Sequence, residues 1–170
     1  MNSMTLRALF NTHRDLGLTV ARVALALVMI PHGLQKVFGW FGGSGFSITM
    51  LSFTDGMGIP AFFAFLNIFT ESFGAILLGL GLLTRVAALA TGINMLVAAY
   101  LVHLPNGFFM NWGGQQAGEG FEFHLLAIGL AAASVISGGG SYSLDAVIAK
   151  RYPPSSMKGQ EPKPRLREVA

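Results

Sequence analysis

The 170-residue chain contains no cysteine. It cannot run a dithiol–disulfide relay, hold an iron–sulfur cluster through its own thiolates, or attach a c-type haem, so any redox role has to borrow a bound cofactor or a partner. Charge is scarce as well. Asp, Glu, Lys and Arg make up 11% of the residues, where a soluble domain carries roughly a quarter. The charges that exist gather before Leu16 and after Ala149. No GxxxxGK[ST] or GxGxxG segment is present, so nucleotide binding has no support and nothing points to nucleic acid.

Apolar residues fill the space that charge leaves. They amount to 52% of the chain, with a mean hydropathy of +0.57. Four spans, Leu16–Phe38, Pro60–Leu83, Val86–Leu104 and Phe121–Ser137, lie near the ~20 residues that cross a hydrocarbon core. Ala75–Leu83 and Leu125–Ala133 show no polar face, which buried helices of a soluble bundle would show. The expected fold is an all-α membrane protein, a four-transmembrane-helix bundle over residues 16–149. Residues 1–15 form a short leading segment, and residues 150–170 a basic, Pro-rich tail with too little apolar surface to fold alone. The first span runs too long for a signal-peptide core and no small-residue cleavage pattern follows, so it is expected to persist. Small residues at Ala75/Gly79, Ala88/Gly92 and Gly129/Ala133 suit close helix packing in lipid.

Lys and Arg set the orientation. Arg7 and Arg14 precede the first span, Arg85 sits in the turn between the second and third, and Lys150 and Arg151 follow the fourth. The Gly39–Ile59 and Pro105–Gly120 loops carry no Lys or Arg. The positive-inside rule then puts both termini and the Arg85 turn in the cytoplasm and the two loops on the outer side.

Polar groups inside the spans need a reason, because an unpaired charge in hydrocarbon costs several kcal/mol. At ~1.5 Å per residue, His103 and Glu119 fall at the outer boundary, Lys36 and His124 about one turn in, His32 and Asn67 deeper, and Glu71 and Asn94 near the midplane. Side chains tilt toward their helix N-terminus, so His32 and Lys36 reach inward and Glu71 outward. The spacing predicts a His32–Glu71 contact with Lys36 one turn above. Arg22 tilts toward the cytoplasmic interface, either snorkelling there or, if the helices are shifted, pairing with Glu71. Glu119 and Glu122 are three apart and suit the positive start of helix four. His124 is about 200° around that helix from Glu122, which argues against a metal site made of these three alone. His103 and His124 share a depth, the minimum condition for a bis-histidine haem, but nothing in their spacing is diagnostic and haem is not favoured.

The segments RVALALVMIPHGLQKVFGWFGG (Arg22 to Gly43), ESFGAILLGLGLLTRVAAL (Glu71 to Leu89), HLPNGFFMNW (His103 to Trp112), GEGFEFHLLAIGLA (Gly118 to Ala131) and GGGSYSLDA (Gly138 to Ala146), in this order and spacing, resemble the DoxX family of small integral membrane proteins. The resemblance covers about Leu16 to Ala149. It implies a four-helix inner-membrane protein similar to a membrane subunit of thiosulfate:quinone oxidoreductase. The family's recurrent polar positions correspond here to Arg22, His32-Gly33, Lys36, Glu71, Arg85, Asn106-Gly107-Phe108 and Gly118-Glu119.

The first functional expectation is thus a membrane subunit of a quinone-linked oxidoreductase system, with a redox partner protein. Quinone is the cofactor the chemistry suggests. His32 would donate a proton or hydrogen bond, Glu71 would orient it and Lys36 would keep Glu71 ionised. The aromatics Phe38, Trp40, Phe41, Phe46, Phe108, Phe109 and Trp112 would form a flat slot above, although aromatics at this level are also an ordinary interfacial belt. Two alternatives stand beside it: a non-catalytic scaffold that anchors a partner, and a proton or small-solute conduit, for which homo-oligomerisation would supply the room.

Overall fold

The computed structural model describes residues 9–150. Among them every regular element is helical. Helix α1, Leu16–Phe38, opens on Asp15, whose carboxylate accepts from the Leu18 amide at 3.2 Å, and closes on the left-handed Gly39. A short helix α2, Gly45–Leu51, continues as a π-helical turn through Ser52–Gly56. Helix α3, Ala61–Leu80, carries a π-helical turn at Thr70–Gly74, and α4, Thr84–Asn106, carries another at Ala99–His103 before a final 3-10 turn. Helix α5 is Glu122–Ser137 and α6 is Leu144–Ala149.

The α1, α3 and α4 helices, at 23, 20 and 23 residues, are long and apolar enough to cross a membrane. Helix α5, the expected fourth span, has 16 residues, about 24 Å at ~1.5 Å per residue against a hydrocarbon core of about 30 Å. It is apolar and packs along α4. Helices α2 and α6 lie in segments the sequence marks only as connections. Residues 151–170, most of the expected tail, and residues 1–8, with Arg7, lie outside the described residues.

The core is built from small side chains. Ala26, Ala75, Ala87, Ala88, Ala127 and Ala131 pack with Leu25, Met29, Leu78 and Met95, while Leu27, Leu66, Ile93, Leu126 and Ile136 face outward. Large apolar groups outside and alanine inside is the arrangement expected where lipid is the solvent and helices associate by close backbone approach. Two of the three small-residue pairs act in this way. A side chain added at Gly79 would lie 3.6 Å from Ala26, and one at Gly92 would lie 3.4 Å from Ala131. The third expectation is corrected: Gly129 meets nothing within 4 Å, and it is Ala127 and Ala131, on another face of α5, that are buried.

Candidate functional site

The buried face of α1 runs through Arg22, Ala26, Met29 and Gly33 in steps of four, three and four, the stripe a 3.6-residue period turns to one side. Gly33 is the contact point with α3. A Cβ placed there would lie 2.4 Å from the Glu71 carbonyl oxygen and 2.6 Å from the Ser72 Cα, so only glycine admits this approach. The π-helical turn Thr70–Gly74 presents Glu71 at the same place. Single π turns are frequent at functional sites, and this one carries a carboxylate that is 4% exposed.

Lys36 extends the stripe by one more step of three, and its ammonium forms an ion pair with the Glu71 Oε2. The Asn94 Nδ2 of α4 donates to Glu71 Oε1 at 2.9 Å, and Asn67 Nδ2 donates in turn to Asn94 Oδ1. An ionised carboxylate only accepts, so Glu71 orients the whole chain of amides toward itself. The Asn67 Oδ1 is left buried without a protein partner.

The hydrogen bonds to the Glu71 carboxylate come from Lys36 and Asn94, and none comes from His32. That histidine lies about 100° around the helix from Gly33 and is exposed on the side of α5, its ring 6.4 Å from that of Phe123. The long stem of Lys36, tilting back along α1 to meet a Glu71 that tilts the other way, reaches the carboxylate instead.

Arg22 neither snorkels to water nor pairs with Glu71. It is 1% exposed, and its guanidinium donates to the carbonyls of Leu78, of Gly79 at 2.6 Å, of Gly139 at 2.9 Å and of Tyr142 at 2.7 Å. The direction of tilt was legible, but the destination is the last turn of α3, whose carbonyls have no helical partner. Asp145 completes this end. Its two carboxylate oxygens accept from the Leu83 and Thr84 amides at 2.8 Å each, capping α4 and holding Leu83 at φ 50, an uncommon value for a non-glycine residue. Arg85 ties α4 to the C-terminus of α5, donating to the Val135 carbonyl at 2.7 Å.

At the opposite end Glu122 lies in the first turn of α5, as expected, and Glu119 in the loop before it, and both carboxylates accept from the 110–112 segment. Glu119 Oε2 accepts from the Asn111 amide at 2.6 Å, and Glu122 Oε1 from the Met110 amide at 2.9 Å and the Trp112 indole at 3.2 Å. The free donors of the folded-back loop compete successfully with those of the helix. His103 Nδ1 donates to the Glu119 carbonyl at 2.8 Å, and Asn106 Nδ2 donates to the same oxygen at 3.2 Å. The rings of His103 and His124 are in contact, centroids 4.1 Å apart, which leaves no room for a porphyrin plane between them. His124 Nδ1 is buried without a partner. Among the described residues no group of three or more His, Asp or Glu is placed to hold a metal ion.

The aromatics separate into local pairs. Trp40 lies against Phe38 at 5.5 Å, and Phe108 against Phe109 and Phe121 at 5.1 and 5.4 Å. None of them lines the opening beside Lys36. That opening is a cavity of about 260 Å³ between the end of α1 and α2, bounded by Gln35, Lys36, Ser44, Thr49, Ser52 and Phe53. Sequence reasoning had no hold on these walls, because a seven-residue helix inside a Gly- and Ser-containing loop has too weak a periodicity to stand out. Asp145 was missed as well. Its signal is a carboxylate directly after the Ser143–Leu144 helix start in an otherwise apolar segment, at the same end of the bundle as a buried arginine.

Comparison with known proteins places the chain among its relatives. The Inner membrane protein YqjF of Escherichia coli (strain K12) is 29% identical over 138 residues, covering 81% of this chain and 96% of that protein. The protein named "Putative oxidoreductase CatD" of Bacillus subtilis (strain 168) is 27% identical over 101 residues, 59% of this chain and 70% of that protein. No solved structure matches. Residues 17–104, which hold Arg22, Gly33, Lys36, Glu71 and Asn94, match the DoxX family, and with three membrane-length helices framing these residues the chain belongs to the DoxX family of membrane proteins.

Proposed function

We propose that the chain is a membrane subunit of a quinone-linked oxidoreductase system, in which Lys36 and Glu71 exchange protons with a bound quinone or quinol. The observation that carries this reading is the position of the ion pair. Glu71 is sealed in the core while the Lys36 ammonium, on a side chain 23% exposed, borders the cavity. Reduction of a quinone consumes two electrons and two protons. The electrons come from a redox partner or small donor, and the protons pass through Lys36 with Glu71 as its counter-charge. Asn94 and Asn67 hold the carboxylate in place from behind. The name of the Bacillus relative points in the same direction.

His32, in this reading, is a flanking group rather than the proton donor, since Lys36 occupies the position beside the carboxylate. Arg22 has an architectural part. His103, His124, Asn106 and Glu119 join the end of α4 to the start of α5. With α5 as a fourth, short span, the positive-inside rule puts the Arg22 and Arg85 end in the cytoplasm of an inner-membrane protein. Because the native chain has no cysteine, single cysteines introduced at Ser44 and Tyr142 and labelled from each side would test that orientation cleanly.

The Glu71→Gln variant tests the chemistry. It keeps an acceptor for Asn94 and removes the charge. The expected result is a folded, membrane-inserted protein whose membranes have lost quinone-dependent reduction by at least about 100-fold, the size of a general acid–base contribution. Unchanged reduction in a folded Glu71→Gln variant would sink the reading.

A further inference from the structure

We infer that the Glu71 carboxylate exchanges protons with one end of the bundle only, the end of Lys36 and Ser44, so that the chain encloses a one-sided proton well and not a path across the membrane. The inference rests on packing, apart from the quinone-linked reading; where that reading holds, it fixes the side from which the protons come. A carboxylate at mid-depth is the usual mark of an ion path, and two directions lead away from this one.

Toward the Lys36 end the groups are polar and reach the surface. The Lys36 ammonium joins Glu71 Oε2 to a depression open to the surface, between Gln35, Ser44, Thr49 and Ser52. Glu71 Oε1 is bound by Asn94, and Asn94 by Asn67, which lies one turn of α3, ~6 Å, toward the same end. The buried Asn67 Oδ1 has no protein partner, and an acceptor of this kind is what a buried water satisfies. The neighbouring titratable groups His32, His103 and His124 lie at this end too.

Toward the Arg22 end the run of polar groups stops. Thr91, one turn of α4 below Asn94, has a buried hydroxyl without a protein partner. Beyond it α4 turns Ala88 and Ala87 inward until Thr84, ~10 Å farther along the helix. Ala26 and Met29 of α1, Ala75 and Leu78 of α3 and Ala131 of α5 join Ala88 in one cluster, each of them 1% exposed or less. Ser134, farther along α5, spends its hydroxyl on the Leu130 carbonyl of its own helix. A water needs about two to four polar partners to enter such a layer, and these walls are apolar.

A fixed cation backs the layer. The buried Arg22 guanidinium is held by four carbonyls, and Asp145 beside it is engaged by two helix-start amides. Arg85 adds a second positive charge at the same end, bound to the Val135 carbonyl. A proton arriving from that side meets a charge that cannot move aside, the means by which an arginine in a pore excludes cations. Glu71 is therefore open toward Lys36, and closed toward Arg22 first by packing and then by charge.

Silver ion tests the access, because it is a small monovalent cation that reacts with thiols and the native chain has no cysteine to compete. Full-length Glu71→Cys and Met29→Cys chains, in chloride-free vesicles of known orientation, are exposed to it from each side in turn. The thiol left free is then measured with a maleimide after solubilisation. The expected outcome is loss of the Glu71→Cys thiol from the Ser44 side and not from the Tyr142 side, with the Met29→Cys thiol untouched from either. Should Glu71→Cys fail to fold, Asn94→Cys leaves the ion pair in place and reads the same level. In liposomes under an imposed potential, the native chain should pass no more protons than empty liposomes do. Loss of the Glu71→Cys thiol from the Tyr142 side or from neither side, any loss at Met29→Cys, or a native proton flux that Glu71→Gln removes, would overturn the inference. The quinone-linked reading fails separately: unchanged reduction in Glu71→Gln membranes sinks that reading and leaves the one-sided access as it is.

Discussion

The two ends of the bundle solve the same problem, a charge inside an apolar helix, in opposite ways. At the Arg22 end both buried charges are bound by backbone. Arg22 donates to four carbonyls, and Asp145 accepts from two helix-start amides. Every partner belongs to a helix end or a tight turn, so the charges substitute for the hydrogen bonds that those ends lack. At the Lys36 end the charges bind each other and the Asn94 side chain, which Asn67 supports in turn, and beside them is a cavity. Charge satisfied by backbone is locked, because moving it would unmake the fold. Charge satisfied by side chains can change partner or protonation state with the backbone standing still. On the proposed function, architecture and chemistry are separated along the bundle axis.

Removing Arg22 is the largest break in this comparison. Arg22→Ala leaves the Gly79, Gly139 and Tyr142 carbonyls without their donor, while Leu78 keeps the Gly81 amide at 3.0 Å, at about 1–3 kcal/mol for each buried group that finds no other partner. We expect no monodisperse protein by size-exclusion chromatography in detergent, and Arg22→Lys, with a single donor point in place of a planar fork, to recover only a small fraction. An Arg22→Ala protein as stable as the native chain would place this charge in the same class as Lys36.

Gly33→Ala comes next. Its methyl group would overlap the Glu71 carbonyl, and overpacking of this kind costs typically 1–3 kcal/mol. The folded bundle should survive with a lowered unfolding temperature and with Lys36 and Glu71 drawn apart, so that quinone-linked activity falls more than stability does.

The smallest effect on stability, and the sharpest contrast, belongs to the double variant Lys36→Met/Glu71→Met. A buried ion pair replaced by apolar groups of similar size is often neutral, whereas removal of one partner is costly. The double variant should therefore unfold within a few degrees of the native protein while Glu71→Met alone unfolds well below it, and both should be inactive. If the double variant is as unstable as Glu71→Met alone, the pair at this end is architectural too, and the separation between the two ends disappears.

Much of this was legible in one dimension. The first helix has the bounds its apolar run suggests, and α3 and α4 end within three residues of theirs. That Lys36 and Glu71 reach a common level follows from counting residues and from the tilt of side chains. The identity of Glu71's partner does not. His32 and Lys36 are one turn apart on α1, and which of them meets the carboxylate depends on the rotation of the helix, set by the closeness of Gly33 to the π-helical turn. Glu119 and Glu122 show the same limit. A carboxylate pair at a helix start reads as a cap, and only the return of the Phe108–Trp112 segment brings competing amide donors within reach.

Composition and periodicity determined that this chain is a membrane protein, where its three membrane-length helices lie and which residues within them are polar, because each is a property of a single segment, and the likeness of whole segments in their order pointed to the family. The tertiary structure alone decided the pairing of Lys36 with Glu71, the clasp of Arg22 on the end of α3, the reach of Asp145 to α4 across some sixty residues, and the existence of a cavity behind α2. These depend on how helices rotate against each other and how loops fold back, and both are set by close contacts between segments that no local pattern records.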